Sequence, residues 1–269
     1  MDADRTLAAL TAGARELWEY LAAGWVATVG GTEAGTEGGT EAAGQARFAR
    51  AVRVAVSPGS ALCPPGWAGI VVLGGAALAT APDPGTAGLM EQSLGGLPVA
   101  SLTDAYVLRN QLPVAAILGP ASLAYLDPAE FRPQPGAAVI TPLGLDDEGF
   151  RRFVLAADPG EAEESGIQEL TSAAFAVREH GQVVAAAGYR DWPRRTAHLS
   201  VLTAAVARDR GLARAAASAA VAHALADGKL PQWRARPMAS RRVARALGFR
   251  ELGFQVSIRL ATRWTTSED

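Results

Sequence analysis

Three arginines and a glycine stand close together between two apolar runs: Arg208, Arg210, Gly211 and Arg214, within HLSVLT-AAVARDR-GLARAAASAAVAHAL. The first run reads as a strand over Thr196–Thr203, and the second as a helix over Gly211–Asp227 with Gly228 as its left-handed stop. The first amides of a helix lack internal partners and sit at its positive pole. Glycine lets an oxygen approach the backbone closely, and guanidinium forks suit phosphate oxygens. The chemistry this spacing suits is the cradling of a diphosphate. The letters leave two other readings open. Strand–glycine–helix turns also occur in dinucleotide folds, although the second Rossmann glycine and the Walker lysine–serine pair are absent here. A plain helix cap with surface arginines has the same spelling.

Something must hold that turn in place. Ala173–Glu179 and Gln182–Tyr189 read as strands around a His180-Gly181 turn, both with the small apolar composition of central strands. Leu230–Ala235 and Glu251–Ala261 read as further strands, Ser240–Leu247 as a helix stopped by Gly248, and Asp146–Ala157 as a helix with acids at its N-terminal end. The order strand, strand, strand, helix, strand, helix, strand predicts an α/β or α+β domain with a mixed sheet. Upstream, a helix is expected from about Arg5 to Ala23, a strand over Arg47–Val56, a hairpin around Gly74-Gly75, and helices over Thr86–Leu94 and Asp104–Gln111. The Gly-Thr-Glu repeat within 30–46 has no hydrophobe to bury and reads as a flexible loop. Arg132–Pro142, with three prolines, reads as a linker, so domains are expected at 1–140 and 141–269.

Composition narrows the partners. The 269 residues are 49% hydrophobic and 19% charged, with a net charge of −2, so a core is feasible and no whole-chain basic field exists to hold nucleic acid or an anionic membrane. No apolar run reaches the ~20 residues needed to span a bilayer, and the N-terminus lacks the basic start of a secretion signal. The lone Cys63 has no metal-ligand neighbours and fits a reducing compartment, so no metal is expected and the location is read as cytoplasmic.

Arg208-x-x-Gly211-x-Ala213 resembles the (Gln/Arg)-x-x-Gly-x-(Gly/Ala) motif of the GNAT superfamily of N-acetyltransferases, which lies between that family's fourth strand and the following helix. Ser240-Arg-Arg-Val-Ala-Arg-Ala-Leu-Gly248-Phe249 resembles the family's final helix and Gly-Phe stop. The resemblance covers about 166–260. It implies a GNAT-like, mostly antiparallel sheet flanked by helices, with acetyl-CoA as co-substrate. Its pantetheine arm would lie along Val201, Leu202 and Thr203 like an added strand. Its diphosphate would meet the backbone across Arg208, Asp209, Arg210, Gly211, Leu212, Ala213 and Arg214, and Ser240 falls where a hydroxyl meets the cofactor tail.

Two positions depart from the family. Pro237 stands where an asparagine is usual, and Ala244 where a tyrosine often donates a proton to the leaving thiolate. Amide formation needs a neutral amine, so a proton must be accepted. The candidates for that role are His198, with the most suitable intrinsic pKa, Glu169 and Tyr189. Tyr189, Trp192 and Trp233 could wall an acceptor pocket. In RARPMASRRVAR, one reading of the arginines is contact with the cofactor's ribose phosphate, and for at least half of them the reading is a solvated helix face. The expected activity is acetyl transfer from acetyl-CoA to an amine of a small molecule or peptide, by a monomer or homodimer. The other reading, favoured by Ala244 and Pro237, is an acyl-CoA-binding sensor without catalysis. The region 1–140 is expected to be a degenerate copy of the same fold or an α/β cap.

Overall fold

The computed structural model describes residues 2–23, 47, 49, 51–134 and 138–261; the expected loop at 30–46 lies outside them. In chain order the elements begin with α1 (Asp2–Ala22), β1 (Val54–Val56), β2 (Ala68–Leu73), β3 (Ala76–Ala81), α2 (Pro84–Leu94), α3 (Ala105–Gln111), β4 (Val114–Tyr125) and β5 (Ile140–Leu143). They continue with α4 (Glu148–Leu155), α5 (Pro159–Ser165), β6 (Ala174–Glu179), β7 (Gln182–Trp192), β8 (Thr196–Thr203), α6 (Leu212–Ala226), β9 (Leu230–Ala235), α7 (Met238–Ala246) and β10 (Arg250–Leu260). The chain forms two compact units, Met1–Leu10 with Ser122–Glu251, and Thr11–Ala121 with Leu252–Asp269. Their edge at Ala121/Ser122 differs from the division expected at 140/141.

In the second unit, β2 and β3 form the expected hairpin, with Gly74 and Gly75 at φ +56° and +75°. A two-residue hairpin turn of this kind needs φ > 0 at both central positions. β10 runs antiparallel to β2, and β1 parallel to β3. Ile70, Ala79, Met90, Leu94, Val256 and Ile258 are buried together. Cys63 donates its thiol to the Trp67 carbonyl at 3.2 Å, and burial pushes its pKa to about 11. That thiol stays protonated and unreactive.

The first unit carries the predicted mixed sheet, in the order β4-β9-β8-β7-β6-β5. β5–β6, β6–β7, β7–β8 and β4–β9 are antiparallel, and β8–β9 is parallel. Helix α6 covers one face with Ala216, Ala217, Ala220, Val221 and Ala224, packed on Ala185, Ala187 and Leu199. These small residues let helix and sheet approach closely. Phe150 and Phe153 of α4, with Ile167 and Leu170, cover Ala174, Ala176, Ala186 and Leu202 on the other face.

Two expectations change here. The linker expected at 132–142 ends in a strand: Ile140–Leu143 pairs with β6, with Pro142 opposite Phe175. An edge strand tolerates proline, because the N–H it lacks can be one that no neighbour needs. Helix α5 was not expected. It is short but fully capped, with the Asp158 side chain accepting from Gly160 and Glu161 N–H, Pro159 at its first turn, and Gly166 at φ +65° closing it.

Candidate functional site

A fork in the sheet makes the site. β8 and β9 pair only at Thr196–His198 against Leu230–Gln232. Past those three positions, Leu199–Thr203 continue beside β7 while Trp233–Ala235 continue beside β4. The facing edges therefore carry backbone donors and acceptors that no ladder uses. A cavity of about 630 Å³ fills the fork. Leu199, Val201, Leu202 and Thr203 line one prong, and Trp233, Arg234 and Ala235 the other. The start of α6 and the first turns of α7 close one side, and α5 contributes Asp158, Gly160, Glu161, Glu164 and Ser165.

The predicted cradle opens into this cavity. Asp209 and Gly211 both have left-handed backbone, at φ +60° and +77°. A side chain at Gly211 would meet nothing within 4 Å, so the space in front of that peptide is open. Arg208, Asp209, Gly211, Leu212, Ala213 and Arg214 all line the cavity, as do Val201, Leu202, Thr203 and Ser240. Arg210 does not; it makes a two-pronged bond to Glu179 at 2.6 and 3.0 Å, and that carboxylate holds the guanidinium in its charged form. Two polar atoms on the lining, Thr203 Oγ1 and Arg214 Nε, are buried with no hydrogen-bond partner among the described residues. Unsatisfied buried groups are costly, and both atoms belong to residues that line the cavity.

The three candidate proton acceptors do not line the cavity. His198 stacks on Trp192, with ring centroids 4.1 Å apart and planes 12° from parallel, and its Nδ1 bonds Gln232 Oε1. Burial first, then the Arg234 charge, lowers its pKa to about 3 against the bond to Gln232, with Arg190 adding to the fall. The ring is neutral at pH 7 and a weak base. Glu169 is ion-paired to Arg190. Tyr189 lies under α6, its hydroxyl 2.9 Å from His223 Nδ1 and 3.1 Å from Asp227 Oδ2, and accepting from Lys229 Nζ at 3.3 Å. Burial is the main cause that raises its pKa. Trp192 is on the His198 stack, whereas Trp233 lines the cavity and donates its indole N–H to Ser240 Oγ at 2.9 Å.

Further residues complete the walls. Glu161 on α5 is paired with Arg208, and Glu164 with Arg236. Arg234 and Arg242 line the cavity. Burial lowers the pKa of Arg234, which Glu169 partly offsets. Of the remaining arginines in this stretch, Arg241 binds Glu251 through two 2.7 Å bonds and Arg245 approaches the same carboxylate at 3.5 Å. Only the caps of α5, Asp158-Pro159 and Gly166, were visible as a signal for this wall.

No curated protein matches the chain. Among solved structures it is similar to an acetyltransferase from the GNAT family of Colwellia psychrerythraea, at 15% identity over 64% of this chain and 70% of that one, with a TM-score of 0.45. It is also similar to a GCN5-related N-acetyltransferase from Kribbella flavida, at 21% identity over 58% of this chain and 63% of that one, again with a TM-score of 0.45. The family model described as GNAT acetyltransferase matches residues 172–253. That stretch holds both prongs of the fork, the α6 cradle and α7.

Proposed function

We propose that this protein transfers an acetyl group from acetyl-CoA directly to an amine of a small molecule or peptide. The observation that carries the reading is the continuity of one cavity from the α6 cradle, through the fork, to the α5 wall. The residues fit the co-substrate: open space stands before Gly211, and the cavity there is lined by Thr203, Arg208 and Arg214, each with hydrogen-bonding groups suited to phosphate. Bound acetyl-CoA would supply an activated acyl carbonyl and a thiolate leaving group.

The chain's own residues would do the rest. The amides that open α6, at its positive pole, hold the diphosphate with Arg208 and Arg214. Leu199–Thr203 offer the free backbone edge that keeps an extended arm straight and aims it at the base of the fork. Free N–H groups of that edge polarise the carbonyl oxygen. On the α5 side, the carboxylates of Asp158 and Glu164 line the cavity, and they take the proton of the attacking amine through water. They line the cavity, whereas Glu169 and His198 do not.

A second reading is acyl-CoA sensing without turnover, supported by the alanine at 244. Incubation with acetyl-CoA and a panel of amines, following free thiol, separates the two. Amine-dependent thiol release supports the transferase; tight binding with no release across the panel supports the sensor.

A further inference from the structure

Resting on the acyl-transfer reading above, we infer that the acceptor amine also carries a carboxylate, which Arg234 receives at the base of the fork. Of the arginines that line the cavity, Arg208 and Arg214 stand at the opening of α6 and Arg242 on α7, whereas Arg234 stands on the β9 prong itself. Its neighbours Trp233 and Ala235 pack into the α6 side of the sheet. Successive side chains of a strand point to opposite faces, so Arg234 projects from the other face, together with Gln232.

The register fixes its height along the cavity. His198 and Gln232 are the last paired positions of β8 and β9, and carrying that register two residues on sets Arg234 level with Ser200. Thr203 lies three residues further along β8, about 10 Å at the rise of a strand. Arg234 therefore belongs to the closed end of the fork, away from the end where α6 opens. The C-terminal end of α5 reaches the same level: a Cβ on Gly166 would come to 3.2 Å from Ser200 Oγ. His198 feels the charge of Arg234, as two side chains on one face should. Glu169, ion-paired to Arg190, acts on Arg234 as well.

Arg234 is exposed, yet enough protein surrounds it for desolvation to lower its pKa. Both hold for a side chain that faces a recess instead of bulk water, and the cavity is such a recess. A guanidinium short of bulk water pairs strongly with an anion. Its planar fork matches a carboxylate, and its five N–H donors serve more than one partner. The same cavity carries Asp158 and Glu164 on the α5 wall. Those acids attract the ammonium form of an amine and repel a second negative charge. A cation at one point and acids at another suit a zwitterion. The acceptor class is therefore a small amine with one carboxylate, and not a polyamine or a dianionic amino phosphate.

Matched acceptors read this without any variant. The wild-type protein and acetyl-CoA are given a panel of amino acids, each beside its own carboxamide, together with diamines, and free thiol is followed. The kcat/KM should favour acid over carboxamide by roughly 10- to 100-fold, the range of one charge-assisted contact. Arg234→Gln should bring that ratio down toward one, chiefly through a higher KM for the acids, and Arg234→Lys should keep part of it. Acids and carboxamides used equally well, or a diamine preferred to both, would overturn the inference and leave the transferase reading standing. An Arg234→Gln change that slows acids and carboxamides alike would also overturn it, by assigning the guanidinium to the thioester. No amine-dependent thiol release with any member of the panel would overturn both the inference and the transferase reading.

Discussion

Arg208 leaves the loop ahead of α6 and pairs with Glu161 on α5, so one of the two arginines assigned to the diphosphate is already occupied by a carboxylate on the opposite wall. A diphosphate entering the cradle competes with Glu161 for that guanidinium, and it also meets the like charge of the acid.

Glu161→Gln should therefore tighten acetyl-CoA binding. The pair is substantially exposed, so freeing Arg208 should increase affinity by about two- to fivefold. Calorimetry at low ionic strength reads this, and the gain should shrink as salt screens both interactions. Unchanged or weaker binding would separate Arg208 from the diphosphate.

His198 should make the fold acid-sensitive. Its pKa is lowered in the folded protein to about 3, from the ordinary 6.5. The unfolded chain binds the proton more readily, so the stabilising contribution is complete above pH 6.5 and falls as pH drops toward 3. Between pH 6.5 and 5 the loss from this one group is roughly 1.5 kcal/mol. His198→Gln should flatten the dependence of the melting temperature on pH in that window. An equal slope in wild type and variant would contradict the burial of a neutral ring.

How much of this was readable in advance varies with the range of the cause. The cradle was legible because Arg208, Gly211 and Ala213 lie in one short stretch whose spelling and backbone demands coincide. Strands β8 and β9 matched their expected bounds because their apolar runs end in turn residues. The His198 pKa was not legible. It depends first on burial in the folded sheet, then on Arg234 and Arg190, which stand on the strands on either side of its own. Tyr189 looked like a strand-end aromatic near the cleft, but β7 runs on to Trp192 and alternation points Tyr189 at His223 under α6. Helix α5 was missed because seven residues rich in glutamate carry no apolar period, and its acids acquire partners only through Arg208 and Arg236. The fork leaves no mark in composition at all, since it is the loss of a pairing between two strands that each read normally.

Thr203→Val should separate binding from folding. Its hydroxyl is buried without a partner in the unliganded protein, so an isosteric methyl should leave the melting temperature equal or slightly higher. The same change should weaken acetyl-CoA binding by about three- to tenfold, if one hydrogen bond worth ~1 kcal/mol is lost. A drop in stability with unaltered affinity would place that hydroxyl in the fold and not in the site.

Edge-strand Pro142 offers a check on β5. Its missing N–H is tolerated at the sheet edge opposite Phe175. Leu143→Asp, which puts a charge into the core beside Phe150 and Phe153, should cost about 2–4 kcal/mol by chemical denaturation. A loss below about 0.5 kcal/mol would mean that 140–143 belongs to the linker that the prolines of 132–142 suggest.

A crystal structure with coenzyme A bound tests the site most directly. The diphosphate should rest on the backbone of 209–214 with the arm between Leu199–Thr203 and Trp233–Ala235. Coenzyme A bound outside the fork, or with its diphosphate away from Gly211, would contradict the assignment.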